Sequence, residues 1–209
     1  MRGLSGLLAC GALFLGAPAW ALAPEPALNV VATGTVEVVF SPWNDGEAAL
    51  LAAIDAAREQ ILVQAYLFTS KPLARALIAA HRRGVRVEVM LDAESNRPAS
   101  ASMLPDFMAA GVPVLVETRH NIAHNKVMLF DPASSRAAVA TGSYNYTRSA
   151  RIANAENLLI LRGNPALARA YLDNWLRHKA EAQLLQSVDN LPARRRKDDG
   201  REPDRATAD

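Results

Sequence analysis

Apolar and polar positions alternate along this chain with two different periods, and the switches between them mark out its elements. Residues 35–40 and 85–91 read as strands, the second ending at Asp92, and 61–68 is a largely apolar run of the kind buried on both faces of a sheet. Leu50, Leu51, Ile54 and Ala57 recur at helical spacing behind Asn44, which with Glu47 three residues on has the form of a capping box. A second helix opens at Ser70 and Pro72, turns Leu73, Leu77 and Ile78 inward, and stops before Gly84. A short helix over 102–110 is closed by Gly111, and 112–117 is a further strand. The rhythm then changes. Residues 127–130 and 137–141 are strands separated by the turn signal Asp131-Pro132-Ala133-Ser134-Ser135, which predicts a hairpin. A last strand covers 158–161. Asn164-Pro165 then opens a long helix with Ala168, Tyr171, Leu172, Trp175 and Leu176 as its apolar stripe. Parallel β-α units followed by a hairpin predict an α/β fold: a mixed β-sheet flanked by helices on both faces, with no internal repeat.

The two ends of the chain are different in kind. Arg2, the apolar stretch 4–16 and Ala19-Trp20-Ala21 form a signal peptide over 1–21, so the protein is expected to be exported, periplasmic or secreted. Residues 22–34 read as an N-terminal linker, 35–188 as the folded domain, and 189–209 as a charged, disordered tail. The single cysteine, Cys10, would leave with the signal, so the fold is expected to hold without a disulfide. No later segment reaches transmembrane length, and stable membrane insertion is not expected. A formal net charge of +2 argues neither for nor against a polyanionic partner; such a site must be a local patch. The basic residues are very uneven: 19 of the 23 are Arg and only 4 are Lys, one of them Lys126. A lysine in an arginine-rich chain suits a place that needs a compact point charge rather than a planar fork.

Lys126 lies in the most informative stretch of the sequence. His124 and Lys126 are set two apart and Asp131 follows; Gly142-Ser143-Tyr144-Asn145 comes eleven residues later, and then Glu156-Asn157. The predicted hairpin would place His124 and Lys126 at its entrance and Ser143 and Asn145 at its exit, side by side. Neutral imidazole is a competent nucleophile near pH 7. The ammonium of Lys126 would draw in a phosphate and stabilise the charge of a pentavalent transition state, with Ser143 and Asn145 donating to the same oxygens. Glu156 is placed to accept from the other ring nitrogen of a histidine. Asp131, at the far end of the strand, is read as structural, pairing with backbone or an arginine near the turn. The spacing of His120 and His124 resembles helical zinc ligands, but no Glu follows His120 and strand residues come next, so neither a metal nor another cofactor is expected.

These residues resemble the pattern of the phospholipase D superfamily, most nearly its small, secreted, single-motif bacterial endonucleases. The resemblance rests on H-x-K-x4-D at His124, Lys126 and Asp131, on G-S-x-N from Gly142 to Asn145, on Glu156-Asn157, and on the flanking Ile122-Ala123 and Tyr146-Thr147. It implies the family's mixed-sheet sandwich over most of the chain, with His124, Lys126, Asn145 and Glu156 catalytic, Lys126, Ser143 and Asn145 on the substrate, and Asp131 and Gly142 structural. One departure is visible: ten residues, rather than the usual six, separate Asp131 from Gly142, an insertion expected to change the rim of the site. The resemblance also implies a mechanism. One histidine attacks phosphorus and a second, opposite, protonates the leaving oxygen. One motif per chain then implies a homodimer with one composite site. The substrate expected is nucleic acid: DNA, with RNA as a further substrate. A phospholipid head group is the alternative, and an inactive nucleic-acid-binding module is the alternative of another class.

Overall fold

The computed structural model describes residues 26–97 and 101–192. The expected signal peptide, Cys10, the start of the linker and nearly all of the charged tail lie outside the described residues.

Strand β1 (Thr35–Ser41) runs into a tight turn and then helix α1 (Gly46–Ala56). The helix starts one residue later than its sequence suggests. Asp45 is the N-cap, accepting from Ala48 N at 3.1 Å, while the side chain of Asn44 accepts from Phe40 N and closes the turn instead. Glu47 does not complete a capping box; its buried carboxylate accepts from Ser70 Oγ at 2.5 Å and from Arg151 at 3.1 Å. Strand β2 (Gln60–Ala65) is buried on both faces, and helix α2 (Lys71–Arg82) follows, capped by Ser70. Strand β3 (Arg86–Asp92), helix α3 (Leu104–Ala109) and strand β4 (Val114–Glu117) complete the parallel half.

The hairpin forms as expected. Strand β5 (Lys126–Phe130) and strand β6 (Ala138–Gly142) pair antiparallel, Val127 with Thr141 and Phe130 with Ala138. Helix α4 (Arg148–Ile152), which has no apolar periodicity long enough to announce it, leads to strand β7 (Glu156–Arg162). Helix α5 (Pro165–Glu181) and the two-residue strand β8 (Gln183–Leu184) end the domain, with a single helical turn at Val188–Asn190. The eight strands form one mixed sheet in the order β1-β7-β6-β5-β2-β3-β4-β8, so the hairpin is inserted at the centre, with β5 antiparallel to β2.

Two cores sandwich the sheet. On one face Leu50, Ile54, Leu73, Leu77 and Phe107 of α1, α2 and α3 pack on Ile61, Val63, Val89 and Met128. On the other, Ala168 and Trp175 of α5 pack on Leu62, Met90, Leu115 and Leu129. Odd and even residues of β2 thus feed opposite cores, which is why its sequence shows no alternation. Each such fully buried side chain contributes about 1.5–3 kcal/mol of hydrophobic stabilisation. The α5 stripe is narrower than its periodicity suggests: Leu176 is 47% exposed, because α5 lies over the centre of the sheet and Leu176 falls on its flank.

Candidate active site

The hairpin brings the two halves of the motif together by register alone. Val127 pairs with Thr141, so Lys126 adjoins Gly142 and Ser143, while the pairing of β6 with β7 sets Gly142 against Leu158 and draws Glu156 and Asn157 alongside. Gly142 is indispensable to this approach: its φ is +152°, and a Cβ there would lie 2.3 Å from the carbonyl oxygen of Asn157. Ser143 N donates to that same carbonyl at 3.0 Å, and Asn157 N donates back to Ser143 Oγ at 3.0 Å.

His124 does not share a strand with Lys126. It lies in the loop before β5, one residue short of its end, and is exposed, whereas Lys126 opens the strand and is buried. What unites them is Tyr66, just past the end of β2. The His124 ring lies 4.6 Å from the Tyr66 ring, and Lys126 Nζ lies 4.8 Å from the same ring while donating to the His124 carbonyl at 2.7 Å. Burial depresses the Lys126 pKa below the ordinary lysine value, and the negative charge of Glu156 partly opposes that shift. Lys126 and Glu156 therefore act in one electrostatic field. The loop before His124 is itself anchored, since Asp92 accepts from Ala123 N at 2.9 Å. Tyr66 and Asp92 were not legible as site residues; the only signals were an aromatic at the end of an apolar run and an acid closing a strand.

Glu156 is held differently from what the sequence suggests. Its oxygens accept from Ser143 Oγ at 2.6 Å and from Asn154 at 2.9 Å, so within one chain it positions Ser143 rather than an imidazole. The side-chain oxygen of Asn145 is buried without a hydrogen-bond partner among the described residues. Asp131 is remote from this cluster, at the other end of β5. It is buried with φ +46° and accepts from the backbone N–H groups of Arg58, Glu59 and Gln60 at 2.7–3.2 Å, with Arg136 3.7 Å away. Burial alone would raise its pKa, but those bonds and the Arg136 charge outweigh it and hold the carboxyl below its ordinary value. The insertion after Asp131 occupies this same turn, about 17 Å from the start of β5 at the usual rise per residue, at the end of the hairpin away from Lys126.

The arrangement provides an exposed imidazole, a partly desolvated ammonium beside it, a hydroxyl fixed by a carboxylate, and the side-chain amide of Asn145. Such a set can bind one phosphoryl group and attack it. Comparison with known proteins bears on the family. Residues 50–178 match the family model described as cardiolipin synthase, phospholipase D-like domain. A phospholipase D of Rickettsia felis is 39% identical over 145 residues, 69% of this chain and 70% of its own length. A mitochondrial cardiolipin hydrolase of Xenopus laevis is 34% identical over 147 residues, 65% of this chain and 67% of its own. Nuc, a phospholipase D family member from Salmonella typhimurium, superposes with a TM-score of 0.67 at 30% identity, covering 74% of this chain and 100% of that one.

Proposed function

Since this chain belongs to the phospholipase D superfamily, whose enzymes are phosphodiesterases, we propose that it is a metal-independent endonuclease of little sequence preference, exported from the cell and acting as a homodimer on DNA, with RNA as a further substrate. The observation that carries the reading is the convergence of His124 and Lys126 on Tyr66, with Ser143 and Glu156 brought alongside by the hairpin. A neutral His124 attacks phosphorus in line, forming a P–N bond as the bond to the leaving oxygen breaks. A second imidazole on the opposite side gives that oxygen its proton, then takes a proton from the water that hydrolyses the phosphohistidine. Lys126 offsets the charge gained by the equatorial oxygens and the side-chain NH2 of Asn145 donates to them, while Ser143, whose hydroxyl proton goes to Glu156, holds that carboxylate in place.

One imidazole cannot stand at both ends of an in-line displacement, so the second comes from another copy of the chain. An exposed apolar row suits such a contact. Val36, Val38 and Phe40 on the edge strand β1 are each about half exposed, Trp43 is 81% exposed, and β1 ends at Ser41, the register partner of Glu156. Arg148, exposed three residues beyond Asn145, adds a cation where a polyanion would run.

The test is cleavage of plasmid DNA in excess EDTA by the wild-type chain and by His124→Ala. Cleavage that persists in EDTA and vanishes in the variant is expected. Cleavage by both proteins would refute the assignment of His124. Cleavage by neither would favour the second reading, a phospholipid head-group hydrolase using the same residues. That reading is supported by the names of the Rickettsia and Xenopus relatives and by Ile122, 57% exposed two residues before His124; phospholipid vesicles would then be the substrate to assay.

A further inference from the structure

Away from the catalytic cluster, the C-terminal half of α5 meets the loop that carries the chain from β4 towards His124. Glu117, the last residue of β4, is buried on the α5 face of the sheet. His178 of α5 touches one of its carboxylate oxygens through Nδ1, and Gln64 of β2 donates to the other at 3.1 Å. His120, three residues beyond Glu117, is exposed and lays its ring 5.1 Å from that of His178, tilted by 39°. One ligand atom from each of Glu117, His120 and His178 lies within 4.8 Å of the other two.

From this geometry we infer a divalent transition-metal site, of the class that takes zinc, formed by Glu117, His120 and His178. Two imidazoles and a carboxylate are a borderline donor set suited to Zn2+, and three protein donors leave a fourth position for water. Tetrahedral ligands about 2.0–2.1 Å from the ion stand roughly 3.3 Å apart, so no separation need close by more than about 1.5 Å, and the short contact between Glu117 and His178 must open to admit the ion. Rotation of the exposed His120 side chain supplies such a movement. The carboxylate is already oriented: Gln64 holds the oxygen that the ion would not take, as outer hydrogen bonds orient metal-bound carboxylates. Competing positive charge is partly engaged elsewhere, since Arg119 pairs with Glu181 at 2.9 Å and Lys179 with Glu88. An ion here would fasten the segment leading to His124 onto α5. It would act by ordering that segment, leaving the phosphoryl chemistry to His124 and Lys126.

The experiment is a calorimetric titration of the EDTA-stripped, desalted chain with ZnCl2, alongside thermal melts with and without Zn2+. One ion per chain is expected, with a dissociation constant near or below micromolar. At one hundred times that constant, Zn2+ should raise the melting temperature by roughly 5–10 °C. His120→Ala and His178→Ala should each weaken binding at least tenfold and cut the thermal shift to about half or less, while His124→Ala should bind as wild type. His120 is exposed, so His120→Ala keeps the test valid if His178→Ala fails to fold. Absence of saturable binding up to about 1 mM Zn2+ would overturn the inference. So would binding that survives His120→Ala but disappears in His124→Ala, which would place the ion on the catalytic imidazole.

Discussion

Asp131 belongs to the sequence motif yet sits at the wrong end of β5 to act in catalysis, and replacing it separates stability from chemistry. Its carboxylate satisfies the backbone N–H groups of three consecutive residues, Arg58, Glu59 and Gln60, where the chain leaves α1 and enters β2. In Asp131→Ala all three donors lose their acceptor. At about 1 kcal/mol for each partly buried bond, the loss is about 3 kcal/mol, or a fall in melting temperature of roughly 6–12 °C for a chain of this size. Asp131→Asn is milder. It keeps one oxygen for Glu59 and Gln60 and tolerates the φ of +46°, but it turns an amide donor towards Arg58 N, at a cost of about 1–2 kcal/mol. The pH dependence follows from the lowered pKa of this carboxyl in the folded state. Its contribution is complete above the unfolded value near 3.9 and disappears as pH falls through the lower, folded value. The gap between wild type and Asp131→Asn should therefore narrow in acid. Urea melts across pH 3–7, with phosphodiesterase activity measured well below each midpoint, test both halves. A variant with an unchanged midpoint and a hundredfold loss of activity would refute the structural assignment.

The site itself makes other predictions. Lys126→Met should abolish phosphodiesterase activity, by about 10²-fold or more as for other transition-state charge stabilisers, while the folded protein becomes no less stable, because a buried cation with a depressed pKa is removed; a melt and a kinetic assay on one preparation check this. Gly142→Ala should lower the melting temperature and the activity together, since its Cβ meets the Asn157 carbonyl at 2.3 Å; a stable, active variant would contradict the backbone geometry. Mixing wild-type with His124→Ala subunits under conditions of subunit exchange should make activity fall as the square of the wild-type fraction, because a composite site needs both imidazoles; a linear fall would mean that each chain works alone.

Several features of this protein were determined by its sequence alone, because they are written in local spacing. The hairpin from β5 to β6 follows from two short apolar runs around a turn-forming stretch, and its antiparallel register suffices to bring Lys126 beside Ser143. The caps at Ser70 and Asn164 and the stop at Gly84 are likewise local chemistry. The motif residues, and with them the family, are visible as identities at fixed separations.

Tertiary structure decided what depends on residues distant in sequence. The helix cap moved from Asn44 to Asp45 because Asn44 found a partner in Phe40 within the turn, and Glu47 turned to Ser70 and Arg151 across the fold. Tyr66, against which both His124 and Lys126 lie, follows a strand some sixty residues earlier, and its only mark in the sequence is an aromatic at the end of an apolar run. Glu117 and His178 meet across the face of the sheet that α5 covers, 61 residues apart, and His120 joins them only because the chain doubles back after β4. The physical reason is common to these cases: a side chain's partner is set by the packing of sheet against helix, and spacing along the chain reports only on neighbours one turn or one strand pairing away.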